Sequence, residues 1–313
     1  MKSIRNLPSL VRDKFIAAQK GGDLTFYQTQ VSILQCHGVP FQVRFSPALA
    51  NKPKSNRPRA PKEKFFDPFA DPAPGLLITD LPSHFLVLNK FPVIPDHFIL
   101  ATKEFKEQTH LLEEDDIGAA YECLKAYREN GEELFGFFNS GEHSGASQPH
   151  RHIQFLPVES MRSGMKTGEE WNVLADGLAK NPELPFAYFW SALPENPTSQ
   201  QLHDIYRSLH DKAVRATDDS LHVSTAENDS PISYNLGFTD RSMVVCPRTL
   251  EGPMIKSSKG ESIGPVSLNG TLLAGTLLVK SEAEWDTLHN DESKLSDVLG
   301  SIGISSIKSN ARI

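Results

Sequence analysis

Two imidazoles and an amide stand two residues apart in Gln148-Pro149-His150-Arg151-His152-Ile153-Gln154-Phe155-Leu156. The segment that leads into them is rich in glycine and serine: Asn139-Ser140-Gly141-Glu142-His143-Ser144-Gly145-Ala146-Ser147. Ile153, Phe155 and Leu156 suit a strand, and along a strand every second side chain emerges on the same face. His150, His152 and Gln154 are therefore expected to project together, with a loop of small residues at their base. Such a loop can turn several backbone amides toward one anion. A neutral imidazole beside that cradle can attack phosphorus and hold the transferred group as a phosphoramidate, which splits one displacement into two. The loop is not a P-loop, because no Gly-Lys-Ser/Thr follows it.

A His-x-His pair also occurs in metal sites, where His143 or Glu159 would have to supply a third ligand. Glutamine is a poor zinc ligand and no acid stands at motif spacing, so no protein-bound metal is expected. A metal-dependent β-sheet oxygenase-type protein is the reading that a stoichiometric metal would favour.

Composition bounds the rest. The chain has 313 residues, 39% hydrophobic and 23% charged, ordinary for a globular protein with one large domain or two smaller ones. No run of eighteen apolar residues suggests a membrane span. Met1-Lys2-Ser3-Ile4-Arg5-Asn6-Leu7-Pro8 lacks the apolar stretch of a secretory signal. Cys36, Cys123 and Cys246 are odd in number and far apart, which fits a reducing compartment. The expected location is cytoplasmic, with the nucleus left open. A net charge of −7 gives no encouragement to nucleic-acid binding. The charge is uneven, however. Between Ala50 and Lys64 there are six basic residues (Lys52, Lys54, Arg57, Arg59, Lys62, Lys64) against Glu63, among prolines 53, 58 and 61. The segment reads as a solvated loop from which a lysine could reach a polyphosphate.

Several elements are needed to hold the motif. Helical spacing predicts helices over Ser3–Lys20, Asp116–Asn130 and Gln200–Ala216. Strands are expected at Thr25–Leu34, Phe41–Phe45, Leu76–Thr79, Phe85–Leu88, Phe98–Ala101 and Leu134–Phe138. Further strands are expected on the motif itself, at Ile232–Leu236 and at Met243–Cys246. Leu268–Val279 is apolar, with Gly270 and Gly275 interrupting it. Regular βαβ alternation is absent. The expectation is an α+β fold, an antiparallel sheet with peripheral helices and the motif on a central strand. Composition loosens between Pro182 and Pro197, which suggests two parts, 1–185 and 186–313.

Asn139-Ser140-Gly141, the string from Gly145 to Gln154, Asn89-Lys90-Phe91-Pro92 and the stretch from Asn269 to Lys280 together resemble the fungal diadenosine tetraphosphate phosphorylases. These enzymes, also called ATP adenylyltransferases, belong to the histidine triad superfamily alongside the galactose-1-phosphate uridylyltransferases. The resemblance spans most of the chain and implies that sheet type, with the C-terminal part completing a site built by the N-terminal part. It implies reversible phosphorolysis of diadenosine tetraphosphate to ATP and ADP. His152 would carry AMP, His150 would orient it, and Gln154 would touch the transferred phosphoryl group. Asn139, Gly145, Ala146, Ser147 and Gln148 would line the phosphates. Asn89, Lys90, Asn269, Gly270, Thr271, Thr276 and Lys280 would contact substrate, Thr276 by its backbone alone. Lys52 is the matching lysine of the basic segment, with Lys54 two residues away. The partners implied are diadenosine tetraphosphate, ATP, ADP and phosphate, with a divalent cation such as Mg2+ carried on the nucleotide. Oligomeric state stays open, and a monomer would suffice. A sugar-1-phosphate nucleotidyltransferase shares the motif core, and a nucleotide sensor without turnover is the alternative of another class.

Overall fold

The computed structural model describes residues 4–46, 48, 67–217, 229–256, 260, 262–291 and 293–306. The basic segment with Lys52 and Lys54 lies outside the described residues.

One eight-stranded antiparallel sheet organises the chain. Its strands are β3 (Leu77–Asp80), β4 (His84–Leu88), β5 (Phe98–Thr102), β6 (Leu134–Ser140), β7 (His152–Pro157), β8 (Phe189–Ala192), β9 (Ser233–Phe238) and β10 (Ser242–Arg248). They lie in the order β3-β4-β5-β7-β6-β9-β10-β8. The motif strand β7 is thus internal, paired with β5 on one side and β6 on the other. Five strands come from residues before 186 and three from residues after it, so both parts of the chain build one sheet. The α+β expectation with a large antiparallel sheet is met.

Alternation along β7 sorts the two faces. Ile153 and Phe155 turn toward α1 (Leu7–Gly21), α2 (Glu114–Glu129) and α5 (Ser199–Thr217). There they meet Leu7, Val11, Ile117, Tyr121, Leu202 and Leu209 in one apolar layer. Helix α2 carries a capping box between Glu113 and Asp116, which satisfies amides that would otherwise be orphaned at its start. The opposite face carries Phe135 and Phe137 of β6, Leu156 of β7, and Val244 and Cys246 of β10. His152 and Gln154 belong to this second face, because they alternate with Ile153 and Phe155. It is covered by a 3-10 turn of the C-terminal part, Gly270–Ala274, and by a second sheet in which β1 (Gln30–Cys36) and β2 (Val39–Phe45) of the N-terminal part are joined by β13 (Thr276–Val279) of the C-terminal part. Strands β11 (Met254–Lys256) and β12 (Ser262–Pro265) form a separate pair. Short helices α3 (Val158–Arg162) and α4 (Leu174–Gly177) follow β7, and α6 (Glu282–Asn290) and α7 (Ser293–Gly300) follow β13.

Three strand expectations change. β13 runs parallel to β2 in the smaller sheet, so the chain's strands do not all share one antiparallel ladder. β1 begins at Gln30 rather than Thr25: the amides of Thr25 and Tyr27 bond instead to the carbonyls of Lys90 and Pro92, at 3.0 and 2.9 Å. β7 begins at His152, and His150 makes only an isolated bridge to Glu107. Pro149 has no amide hydrogen for a ladder. The 149–151 stretch is instead gripped by the loop after β5, through Gln108 N to Pro149 O (2.7 Å) and Arg151 N to Lys106 O (2.8 Å). No helix among the described residues is long and apolar enough to cross a membrane.

Candidate active site

His152 stands where β6 and β7 part. Their pairing ends at Phe137↔Gln154, so Asn139 and His152 do not bond to each other. Gln108 fills the gap. Its side-chain NH2 donates to the carbonyls of Asn139 (2.8 Å) and His152 (3.2 Å), and its oxygen accepts from the His152 amide at 2.8 Å. The His152 backbone is thereby fixed on the side where β6 has left it, while Ala101 of β5 pairs with it on the other. Its ring Nδ1 lies 2.8 Å from the His150 carbonyl. A carbonyl only accepts, so Nδ1 carries the proton and Nε2 keeps its lone pair. His152 is 3% exposed. Burial pushes its pKa down to about 4, so the ring is neutral at pH 7, as a nucleophile must be.

His150 is held on both ring nitrogens. Nδ1 is 2.7 Å from Asp67 Oδ2, and Nε2 is 2.8 Å from the Thr102 carbonyl. Phe69 packs across both rings, with centroids 5.7 Å from His150 and 5.2 Å from His152. His150 reaches His152 through its own carbonyl, not by a shared face. The expected common projection therefore becomes a backbone link. Arg151 points the other way, into Glu113 (2.9 Å) and Asp116 (2.8 Å) at the start of α2. His84 also meets Asp116, at 2.9 Å.

Gln154 is half-buried on the His152 face, and its Oε1 lies 3.1 Å from Nε2 of His97. Nδ1 of His97 lies 3.0 Å from Asn89 Nδ2, while Asn89 Oδ1 accepts the Phe91 amide at 2.9 Å. Burial lowers the His97 pKa to about 4. Asn89 thus touches His97 at the neck of the β4–β5 connection, beside exposed Lys90, whose ammonium sits 5.7 Å over the Phe91 ring.

Asn139 brings in the C-terminal part. Its Oδ1 accepts from Gly270 N (2.8 Å) and from Asn235 Nδ2 (2.9 Å). Asn235 also donates to the Ser144 carbonyl (2.9 Å) and accepts from buried Arg248. The Gly/Ser loop is thereby tied to β9 and β10. Gly145 has φ +77°, and a Cβ there would lie 2.7 Å from the Leu268 carbonyl and 2.9 Å from Asn269 Cβ. A Cβ on Gly270 would lie 2.8 Å from Asn139 Oδ1 and 2.9 Å from the Phe137 ring. Both glycines are needed for the loop and the 3-10 turn to close on the sheet. Asn269 caps that turn, accepting the Thr271 amide (3.0 Å) and hydroxyl (2.8 Å) on its Oδ1.

The structure thus gathers His150, His152, Gln154, Asn89, Asn139, Gly145, Asn269, Gly270 and Thr271 by a continuous run of contacts. Ala146 and Ser147 are exposed on the loop and Gln148 is half-buried, with its Oε1 unpartnered. Thr276 joins this group through its backbone alone: its carbonyl accepts from the Thr271 hydroxyl at 3.0 Å, while its own hydroxyl donates to Gln42 Oε1 at 3.1 Å in the smaller sheet. Lys280 is exposed just past β13, its amide bonded to Glu284 at 2.7 Å. Asp67, His97, Thr102, Gln108, Asn235 and Arg248 are additions that the motif did not indicate. Most of the partners that place them lie tens of residues away, so no spacing rule could find them. Among the described residues no group of three or more His, Cys, Asp or Glu side chains is placed to hold a metal ion. A cavity of about 290 Å³ between Leu81, His84, Asp115 and Ala119 touches none of the motif residues.

An antiparallel sheet that presents His-x-His-x-Gln above a Gly/Ser loop defines a class, the nucleotidyltransferases of histidine-triad type. Residues 2–170 match the Ap4A phosphorylase N-terminal domain, where Ap4A is diadenosine tetraphosphate, and residues 182–305 match the ATP adenylyltransferase C-terminal domain. The chain belongs to the Ap4A phosphorylase family. It is 32% identical, over 91% of each chain, to diadenosine 5',5'''-P1,P4-tetraphosphate phosphorylase 2 of Saccharomyces cerevisiae. It is 28% identical to Protein APA1 of the same yeast, over 94% of this chain and 93% of the other. The crystal structure of yeast Ap4A phosphorylase Apa2 in complex with Ap4A superposes with a TM-score of 0.75 at 28% identity, over 96% of this chain and 98% of that one.

Proposed function

We propose that the chain catalyses reversible phosphorolysis of diadenosine tetraphosphate to ATP and ADP, with His152 carrying AMP between two half-reactions. The observation that carries this reading is the state of His152: proton fixed on Nδ1 by the His150 carbonyl, lone pair left on Nε2, ring kept neutral by burial. In the first half, Nε2 attacks an α-phosphorus, the bond from that phosphorus to the bridging oxygen breaks, and ATP leaves with the electron pair. ATP is a stable anion and needs no proton on departure, which is why an amide at Gln154 can stand where a general acid would otherwise be required. In the second half, a phosphate oxygen attacks the same phosphorus, the P–N bond breaks, and ADP forms.

Two anions meet in that second step, so cations must offset their repulsion. Lys90, beside Asn89, suits this task, and Lys52 and Lys280 are assigned to it by resemblance. A divalent cation such as Mg2+ enters as part of the nucleotide substrate. Three buried, free cysteines suit a reducing compartment, and we place the protein in the cytoplasm. Product analysis tests the reading. With diadenosine tetraphosphate and phosphate, ATP and ADP form in equal amounts. Without phosphate, transfer stops after one ATP per protein. Steady release of AMP in phosphate-free buffer would identify a hydrolase instead.

A further inference from the structure

We infer that His97 is a positioning residue that fixes which end of the Gln154 amide faces the transferred phosphoryl group. The inference rests on the proposed adenylyl transfer and adds a residue and a direction to it.

Three hydrogen bonds determine the polarity in sequence. The Phe91 backbone amide can only donate, and it lies 2.9 Å from Asn89 Oδ1. The other end of the Asn89 amide is therefore its NH2, which lies 3.0 Å from His97 Nδ1. A nitrogen that receives a donor must keep its lone pair, so Nδ1 is unprotonated. His97 is buried and neutral, so its one proton is on Nε2. Nε2 then donates across 3.1 Å to Gln154 Oε1. Gln154 has its oxygen occupied from behind, and only its NH2 remains for the substrate side. An amide in the other orientation would present an oxygen to phosphoryl oxygens, lone pair against negative charge. Preorganised donors aimed at developing charge are typically worth about 10²–10³-fold in rate, and a freely flipping amide would forfeit part of that.

The lock is built into the fold. Asn89 and His97 close the β4–β5 connection, with Asn89 N bonded to the His97 carbonyl at 2.9 Å. Ile99, two residues beyond His97, pairs with Gln154 across the ladder. A register that places Gln154 opposite Ile99 therefore also brings the His97 ring within reach of its amide. Asn139 shows the same polarity, its oxygen taken by Gly270 N and Asn235, so both site amides offer NH2 groups to an anion.

A double-mutant cycle tests the inference. The single-turnover rate of adenylyl transfer from diadenosine tetraphosphate would be measured for the unaltered protein, His97→Leu, Gln154→Ala and the double variant. His97→Leu is expected to slow transfer tenfold or more alone and less than twofold in the Gln154→Ala background. His97→Gln, which can still accept from Asn89 and donate to Gln154, should recover most of the loss. AMP affinity should stay within about twofold in His97→Gln, which keeps both hydrogen bonds. Nitrogen-15 spectra of histidine-labelled protein give a readout independent of turnover, with the His97 signal assigned through His97→Gln. Nε2 protonated and Nδ1 bare is the expected tautomer. Equal losses in both backgrounds, or His97 protonated on Nδ1, would overturn the inference alone. No transfer by the unaltered protein would remove the functional reading, and the inference with it.

Discussion

At the residue scale the chemistry depends on where protons sit. His152 needs its proton on Nδ1, and the His150 carbonyl holds it there. His152→Ala should abolish turnover, with a loss on the order of 10⁴-fold or more, while nucleotide affinity changes little because the loop and the amides remain. His150→Ala should be milder, since the carbonyl that orients His152 is backbone and survives. What is lost is the ring that Asp67 and Thr102 hold. Kinetics and equilibrium binding on the two variants would check both statements, and equal losses in turnover would show that the His150 ring does more than orient. The histidines and Gln154 were legible because period-two spacing beside a Gly/Ser loop is a local pattern. His97 was not: a lone histidine before a strand has no signature, and Gln154 is 57 residues away. Gln108, Asn235 and Arg248 were hidden for the same reason. Thr276 stood on resemblance alone, as a backbone contact, and its carbonyl is the atom that meets Thr271 while its hydroxyl is spent on Gln42.

At the scale of elements, two turns are pressed onto the sheet. The Gly/Ser loop crosses Leu268 and Asn269 at Gly145, and the 3-10 turn rests on Phe137 and Asn139 at Gly270. Gly145→Ala combines a positive φ, costing about 1–2 kcal/mol for an L side chain, with a contact against backbone that cannot move aside. Gly270→Ala meets the Phe137 ring and the Asn139 oxygen without the φ penalty. Both should lower the melting temperature, Gly145→Ala by more. Both should also slow adenylyl transfer by tenfold or more, because each would shift groups that the resemblance assigns to the phosphates. Unchanged transfer in both would mean that these turns do not shape the site. Most helices and strands could be read from periodicity to within a few residues. The failures came where tertiary contacts replaced a ladder. Thr25 and Tyr27 spend their amides on the Lys90–Pro92 turn, and His150 lies on a stretch gripped by the 102–108 loop.

For the whole molecule, one sheet drawn from both parts of the chain carries the motif strand in its middle, and burial on that scale sets the pH behaviour. His97 and His152 both fall to about 4 in the folded protein, against 6.5 in the unfolded chain. Between those values the unfolded chain binds protons that the fold excludes, so stability is lost as pH falls from about 6.5 toward about 4. Denaturant midpoints across that window should decline, and less steeply in His97→Gln. The same neutrality predicts that kcat/KM for the first half-reaction holds its plateau below pH 6 and turns down only near pH 4–5. A downturn centred near 6.5 would show a solvated nucleophile. The most direct test is the covalent intermediate itself. Protein mixed with diadenosine tetraphosphate in phosphate-free buffer, quenched and digested, should yield one peptide heavier by an AMP moiety. The label should be acid-sensitive, base-stable and mapped to His152, and adding phosphate before the quench should discharge it as ADP. Label on another residue, or full turnover in His152→Ala, would contradict the account.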